Sequence, residues 1–189
     1  MTTASWPDHL LTLAEWNALP EDTSRRYELV EGVLLVVPRP APMHQRVMVR
    51  LAAELDRQLP DELTALADVE VEVDTRYPPT VRAPDIVVVP TGRAQQNPPR
   101  LVAADVLVAI EIVSPGTGRT DRVTKPTEYA DAGIPHYWLV ELDPFVTLTA
   151  YTLIAGDYEH TAGGSGLITI TITAPVTVKL DLDALISRR

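Results

Sequence analysis

A single glutamate interrupts an otherwise unbroken apolar run, Val106-Leu107-Val108-Ala109-Ile110-Glu111-Ile112-Val113. Successive side chains of a strand point to opposite faces, so a run that is apolar on both parities needs cover on both sides. That places it at the centre of a sheet held between two layers. A second run, Ile86 to Val89, has the same character and starts directly after Asp85. A carboxylate inside a buried strand is costly unless it is paired, hydrogen-bonded or bound to a cation. The fold must therefore bring a partner to Glu111.

The flanking patterns are of mixed type. Leu11 to Leu19 reads as a short helix stopped by Pro20, and Arg26–Val30 with Val33–Val37 as a hairpin around Glu31-Gly32. Met43 to Leu59 is the clearest long helix, since Val47, Leu51, Leu55 and Leu59 recur every four positions. Val69 to Asp74 alternates strictly, with Glu70, Glu72 and Asp74 on one side. A helical stretch near Val123 to Ala132 follows the Glu111 run and closes at Gly133 and Pro135. Tyr137 to Leu142 and Val146 to Leu153 read as strands, and Leu167 to Leu180 is β-rich. The predicted class is α/β, with a mixed sheet flanked by helices.

Length and composition narrow the function. The chain has 189 residues, 46% of them apolar, which is enough for one ordinary core. Cysteine is absent, which excludes disulfides, thiolate zinc sites and a cysteine nucleophile. No apolar run is long enough to span a membrane, and MTTASWPDHL has neither the basic head nor the apolar stretch of a secretory leader, so a cytoplasmic location is expected. Net charge is −10. Residues 126–187 hold eight acidic side chains and one basic one, Lys179. A nucleic-acid partner would have to be met by a local basic strip or by metal ions.

Asp85 and Glu111 open and occupy neighbouring apolar strands, where two carboxylates can share one hard divalent ion. Such an ion would sharpen a bound water and offset charge building on a phosphate. A lysine should lie nearby. Lys125, one of only two lysines, begins the helix after the Glu111 strand, and Arg119 and Arg122 beside it are candidate phosphate contacts. Because Pro126 disfavours the α conformation in the residue before it, Lys125 is expected at or just outside the first turn. His44 at the start of the long helix and Tyr129 are possible auxiliary residues.

These residues resemble a known family. Pro84-Asp85, Glu111-Ile112-Val113-Ser114-Pro115, Lys125, Tyr129 and Gly133-Ile134-Pro135-His136-Tyr137-Trp138 are similar to the Uma-two family of restriction endonucleases, within the PD-(D/E)XK nuclease superfamily. Arg26 to Gly32, His44-Gln45-Arg46, Thr12 to Trp16 and Val178 to Leu182 fit the same family, so the resemblance covers nearly the whole chain. It implies one restriction-endonuclease-like domain over residues 1–189. Within it lie an N-terminal helix and hairpin (about 10–40), a nuclease core (about 41–142) and a β-rich extension (about 143–189). It further implies a Mg²⁺ site, with Mn²⁺ as substitute, held by Asp85, Glu111 and the Ile112 backbone carbonyl, with Glu28 as an auxiliary acid. The lysine that the superfamily places two residues after the glutamate is Val113 here, and the resemblance moves its role to Lys125.

The expected activity is hydrolysis of phosphodiester bonds in DNA by a metal-activated water, in a homodimer, because two strands call for two sites. Leu167 to Val178 is a candidate dimer surface or edge strand. The alternative is a catalytically silent nuclease fold used for binding or assembly, suggested by the negative charge. Carboxylate-pair hydrolysis of a small substrate is a weaker third.

Overall fold

The computed structural model describes residues 7–19, 26–114, 116, 118–173 and 176–187. Helix α1 (Leu13–Asn17) starts at Thr12, whose hydroxyl accepts from the Glu15 N–H while the Glu15 carboxylate accepts from the Thr12 N–H. Pro20, expected to stop this helix, lies outside the described residues.

Strands β1 (Arg26–Val30) and β2 (Val33–Val37) form the expected hairpin, paired from Arg26↔Val37 to Val30↔Val33. Both turn residues take positive φ, 46° at Glu31 and 75° at Gly32. A Cβ at Gly32 would lie 2.9 Å from the Leu10 Cβ and 3.2 Å from the Leu11 carbonyl oxygen. Gly32→Ala is therefore expected to cost about 1–2 kcal/mol from backbone strain alone. A thermal midpoint lowered by a few degrees checks this.

Helix α2 (Pro42–Gln58) starts with Pro at its first position, where the missing N–H costs nothing. Strands β3 (Leu63–Ala67), β4 (Val71–Asp74), β5 (Thr80–Arg82) and β6 (Ile86–Pro90) follow, then α3 (Thr91–Ala94), β7 (Leu101–Val102) and β8 (Val108–Ile112). After a π-helical turn, Thr120–Thr124, come α4 (Lys125–Asp131), β9 (His136–Glu141), β10 (Thr147–Ile154), β11 (Asp157–Ser165), β12 (Leu167–Thr171), β13 (Thr177–Asp181) and α5 (Leu182–Ile186).

Three sheets result, in the orders β2-β1-β5-β4-β7, β11-β10-β9-β8-β6-β3 and β12-β13. The class is mixed α/β, as expected: β8 and β9 are parallel and joined across α4, while β6 and β8 are antiparallel. Alternation along the central strands divides the core in two. Ile86, Val88, Ile110, Ile112, Trp138 and Val140 pack with Val47, Leu51 and Leu55 of α2. Val87, Val89, Ala109, Tyr137 and Leu139 pack on the other side with Tyr129 of α4. Glu111 has the parity of Ala109, so it faces α4.

Three details depart from the sequence reading. The strand expected from Val69 begins at Val71, and β3, β5, β7 and β11 are additional strands. The row Glu70, Glu72, Asp74, which strict alternation predicts as a solvated strand face, is instead paired: Arg100 meets Glu70 at 2.5 Å and Arg76 meets Asp74 at 2.8 Å. The apolar side of the Leu167–Val178 stretch is used by the chain's own core, with Ile168, Ile170, Val178 and Leu180 buried beside α2. That is the ordinary-sheet outcome, not a free dimer surface. Lys125 opens α4, in its first turn as expected, and is helical (φ −61°, ψ −41°) despite Pro126 because the π-helical turn before it passes its N–H back to the Thr120 carbonyl and sets its backbone. Among the described residues no helix is long and apolar enough to cross a membrane.

Candidate functional site

The link Ala83-Pro84-Asp85 carries the chain from β5 of the first sheet to β6 of the second, so Asp85 stands where the two sheets meet. Its Oδ2 accepts from the Ile112 N–H at 2.7 Å and lies 3.2 Å from His44 Nε2. His44 reaches this point from the first turn of α2. Burial lowers the His44 pKa, but the Asp85 carboxylate and the Ile112 backbone more than offset this and raise it.

Glu111 is 2% exposed. Its Oε2 accepts from Lys125 Nζ at 2.8 Å and its Oε1 from the Tyr129 hydroxyl at 2.7 Å. Lys125 and Tyr129 lie one helical turn apart, so one face of α4 brings both donors to the same carboxylate. The π-helical turn adds Asp121, whose Oδ1 is 3.3 Å from Lys125 Nζ. Glu28 approaches from β1, with Oε1 3.8 Å from the same ammonium. Glu28 is itself held by Arg82 at 2.8 Å and by the Ala83 N–H at 3.3 Å, while Arg82 also grips Glu128 with two bonds of 2.7 Å.

A cleft of about 230 Å³ opens on this cluster, bordered by Glu28, His44, Asp85, Glu111, Ile112 and Lys125, with Asp121, Arg26 and Arg39 also on its wall. The candidates from five separate segments therefore converge. Arg119 and Arg122 do not join them. Arg119 is exposed, and Arg122 turns to Glu141 and the Gly118 carbonyl on the other side of the π-helical turn. Ser114 lies on the cleft wall, and Pro115 of the same motif lies outside the described residues.

Sequence reasoning missed Asp121, Arg82, Arg26 and Arg39. Asp121 carried a readable signal, since four residues separate it from Lys125, the spacing of one helix face. Arg82 carried none: an arginine ending a short strand looks like a surface group until the packing places Glu28 and Glu128 on either side.

The electrostatics are unbalanced. Burial, with the Asp85 and Asp121 carboxylates, pushes Glu111 up to about 8 against the pull of Lys125. Burial opposes the charge on Lys125, yet Glu111, Glu28 and Asp121 raise its pKa above the ordinary lysine value, so it stays an ammonium. Among the described residues no three His, Asp or Glu side chains form a preformed metal cage. Asp85 and Glu111 nonetheless fit a hard divalent ion of the magnesium type, which takes one or two carboxylates and keeps several waters. The excess negative charge around one buried acid is what such an ion would offset.

A pH dependence follows. The folded chain holds a proton on Glu111 up to about pH 8, whereas an ordinary glutamate loses it near 4.5. The folded state binds the extra proton within that window, so metal-free stability should fall as pH rises through it, by roughly a few kcal/mol. The raised His44 adds in the same direction above the ordinary 6.5. Expected is a thermal midpoint that drops from pH 4.5 to 8 and is lifted most by Mn²⁺ at the upper end. A flat profile in both conditions would contradict it.

Residues 13–183 match the family described as "Uma2: Putative restriction endonuclease". The chain is also similar to the crystal structure of a protein from Anabaena variabilis titled a putative nuclease belonging to DUF820. Identity is 21% and the TM-score 0.72, over 93% of this chain and 97% of that one, a likeness of fold. No curated protein matches.

Proposed function

The chain belongs to the Uma2 family of restriction-endonuclease-like proteins, and from that premise we propose that it is a divalent-cation-dependent endonuclease hydrolysing phosphodiester bonds in DNA. The observation that carries this reading is the convergence of Asp85, Glu111 and Lys125 in one cleft. Asp85, Glu111 and the Ile112 carbonyl would hold Mg²⁺ or Mn²⁺. When bound, the ion supplies Lewis-acid polarisation of a phosphate oxygen and a water of lowered pKa.

The protein's own groups do the positioning. His44 and the Ile112 N–H fix the Asp85 carboxylate, and Tyr129 fixes that of Glu111. The Tyr129 hydroxyl is held protonated by burial and by Glu111, so it remains a donor. Lys125 is a poor general base because its surroundings favour the ammonium. Its role is to donate to a phosphate oxygen as charge develops there, beside the carboxylates that hold it in place. Glu28 is an auxiliary acid that limits the swing of Lys125. Two such sites in a twofold dimer would address the two strands of a duplex, which sedimentation of the purified chain would test.

The test is cleavage of plasmid and single-stranded DNA in Mg²⁺ or Mn²⁺, with chelator and Asp85→Ala as controls. Cutting that needs both the ion and Asp85 supports the reading. Absence of cutting, or cutting indifferent to Asp85, overturns it. A second reading, a silent site used for binding, is favoured by Glu111 having both oxygens already engaged. It predicts no calorimetric Mn²⁺ binding that depends on Asp85.

A further inference from the structure

Beyond the π-helical turn, on the side away from the acidic cleft, lies a second cavity of about 470 Å³. Tyr137, Tyr151, Tyr158 and Leu139 line it, with Arg122 and Glu141 at its rim. Its volume is that of a small-ligand pocket. The aromatic residues are set by sheet register. Tyr137 on β9 pairs directly with Tyr151 on β10, and Tyr151 with His160 on β11. Ring centroids are 6.1 Å apart in both pairs, and Tyr158 lies 5.7 Å from Tyr137. Two rings are pinned through their hydroxyls, Tyr137 to the Asp121 carbonyl and Tyr158 to the Ile134 carbonyl.

This row shares a sheet face with Glu111. Glu111 pairs with Leu139, which has the parity of Tyr137. Neighbouring strands lie about 4.8 Å apart and residues rise about 3.3 Å along a strand, so Tyr151, two strands over and two residues along from Glu111, lies about 12 Å from it. That is the reach of a neighbouring nucleotide. Asp121 faces the cleft and Arg122 the aromatic cavity, so one helical turn forms the wall between the two spaces.

We propose that this cavity is a stacking platform for one unpaired nucleobase adjacent to the phosphate being cut, an inference that rests on the nuclease reading. A base inside a duplex has both faces covered by its neighbours, and only an unstacked one offers a face to tyrosine. The Arg122–Glu141 pair presents a donor and an acceptor at the rim, suited to the edge of such a base. Stacking recognises any base by its ring, so the platform confers preference for single-stranded or distorted sites over a sequence.

The test uses the full chain in Ca²⁺ and a short single-stranded oligonucleotide carrying 2-aminopurine at successive positions. Wild type should quench the probe strongly at one position. Tyr151→Leu should lose that quenching and weaken binding about tenfold, and Tyr151→Trp should restore both, with thermal midpoints showing that each variant folds. If wild type binds and Tyr151→Leu matches it in affinity and quenching, the platform is overturned and the nuclease reading stands. If wild type neither binds the oligonucleotide nor cuts DNA in Mn²⁺, both fall.

Discussion

Glu111→Gln should abolish cleavage, by about a thousandfold or more, and leave the fold intact. The substitution keeps shape. Its amide oxygen can accept from Lys125 and its NH₂ can donate to the Tyr129 hydroxyl oxygen, so neither of the bonds at 2.8 and 2.7 Å must be lost. What goes is the negative charge, and with it the second anionic oxygen donor for a divalent ion. The stabilisation such an ion gives a transition state is several kcal/mol, and each 1.36 kcal/mol is a factor of about ten in rate. Plasmid cleavage rates and a calorimetric Mn²⁺ titration check this together. The variant should also be more stable than wild type near pH 8 without metal, because the acid held up to about 8 is gone. A variant that cuts within tenfold of wild type would remove Glu111 from the ion's coordination.

Arg82→Leu should be the most damaging single change to stability outside the apolar core, at about 3–5 kcal/mol. Arg82 is 2% exposed and ties β1 to α4, through Glu28 at 2.8 Å and Glu128 at 2.7 Å. Without it, Glu28 stays buried near Glu111 and Asp121, with the Lys125 ammonium 3.8 Å away and shared with those two acids. Lysine should be a poor substitute, since a single ammonium cannot reproduce the two-pronged grip on Glu128. Urea unfolding measures the loss. Adding Glu28→Gln should recover part of it, because the stranded charge disappears with the partner. A loss below about 1 kcal/mol would mean that water reaches Glu28 and screens it.

The hairpin of β1 and β2 was legible to the residue, because Glu31-Gly32 admits a two-residue turn and the flanking runs are β-prone. Glu111, Asp85 and Lys125 were legible for a different reason: charges in apolar surroundings stand out, and the resemblance fixed their order. The strands missed are those whose own sequence says little. Leu63–Ala67 has the composition of a helix and becomes a strand by pairing with β6. Asp157–Ser165 is polar and glycine-containing, and is ordered by the long hairpin with β10. Arg122 was expected to contact phosphate beside Lys125, but the π-helical turn that carries it points it to Glu141. A shift from α to π geometry rotates side chains about the axis, and no periodicity announces it. Arg82 joins the cluster only through tertiary placement, whereas the spacing of Asp121 from Lys125 was there to be read.

Glu28, Asp85, Glu111 and Lys125 come from separate segments, contributed by both larger sheets and by the crossover between the parallel strands β8 and β9. No local fragment of the polypeptide assembles them. A ribosome must have delivered the chain through β9 before the parallel pair can close and draw α4 over Glu111. During synthesis, therefore, the cluster cannot assemble before β9 has emerged, and whatever chemistry it supports waits on that tertiary closure.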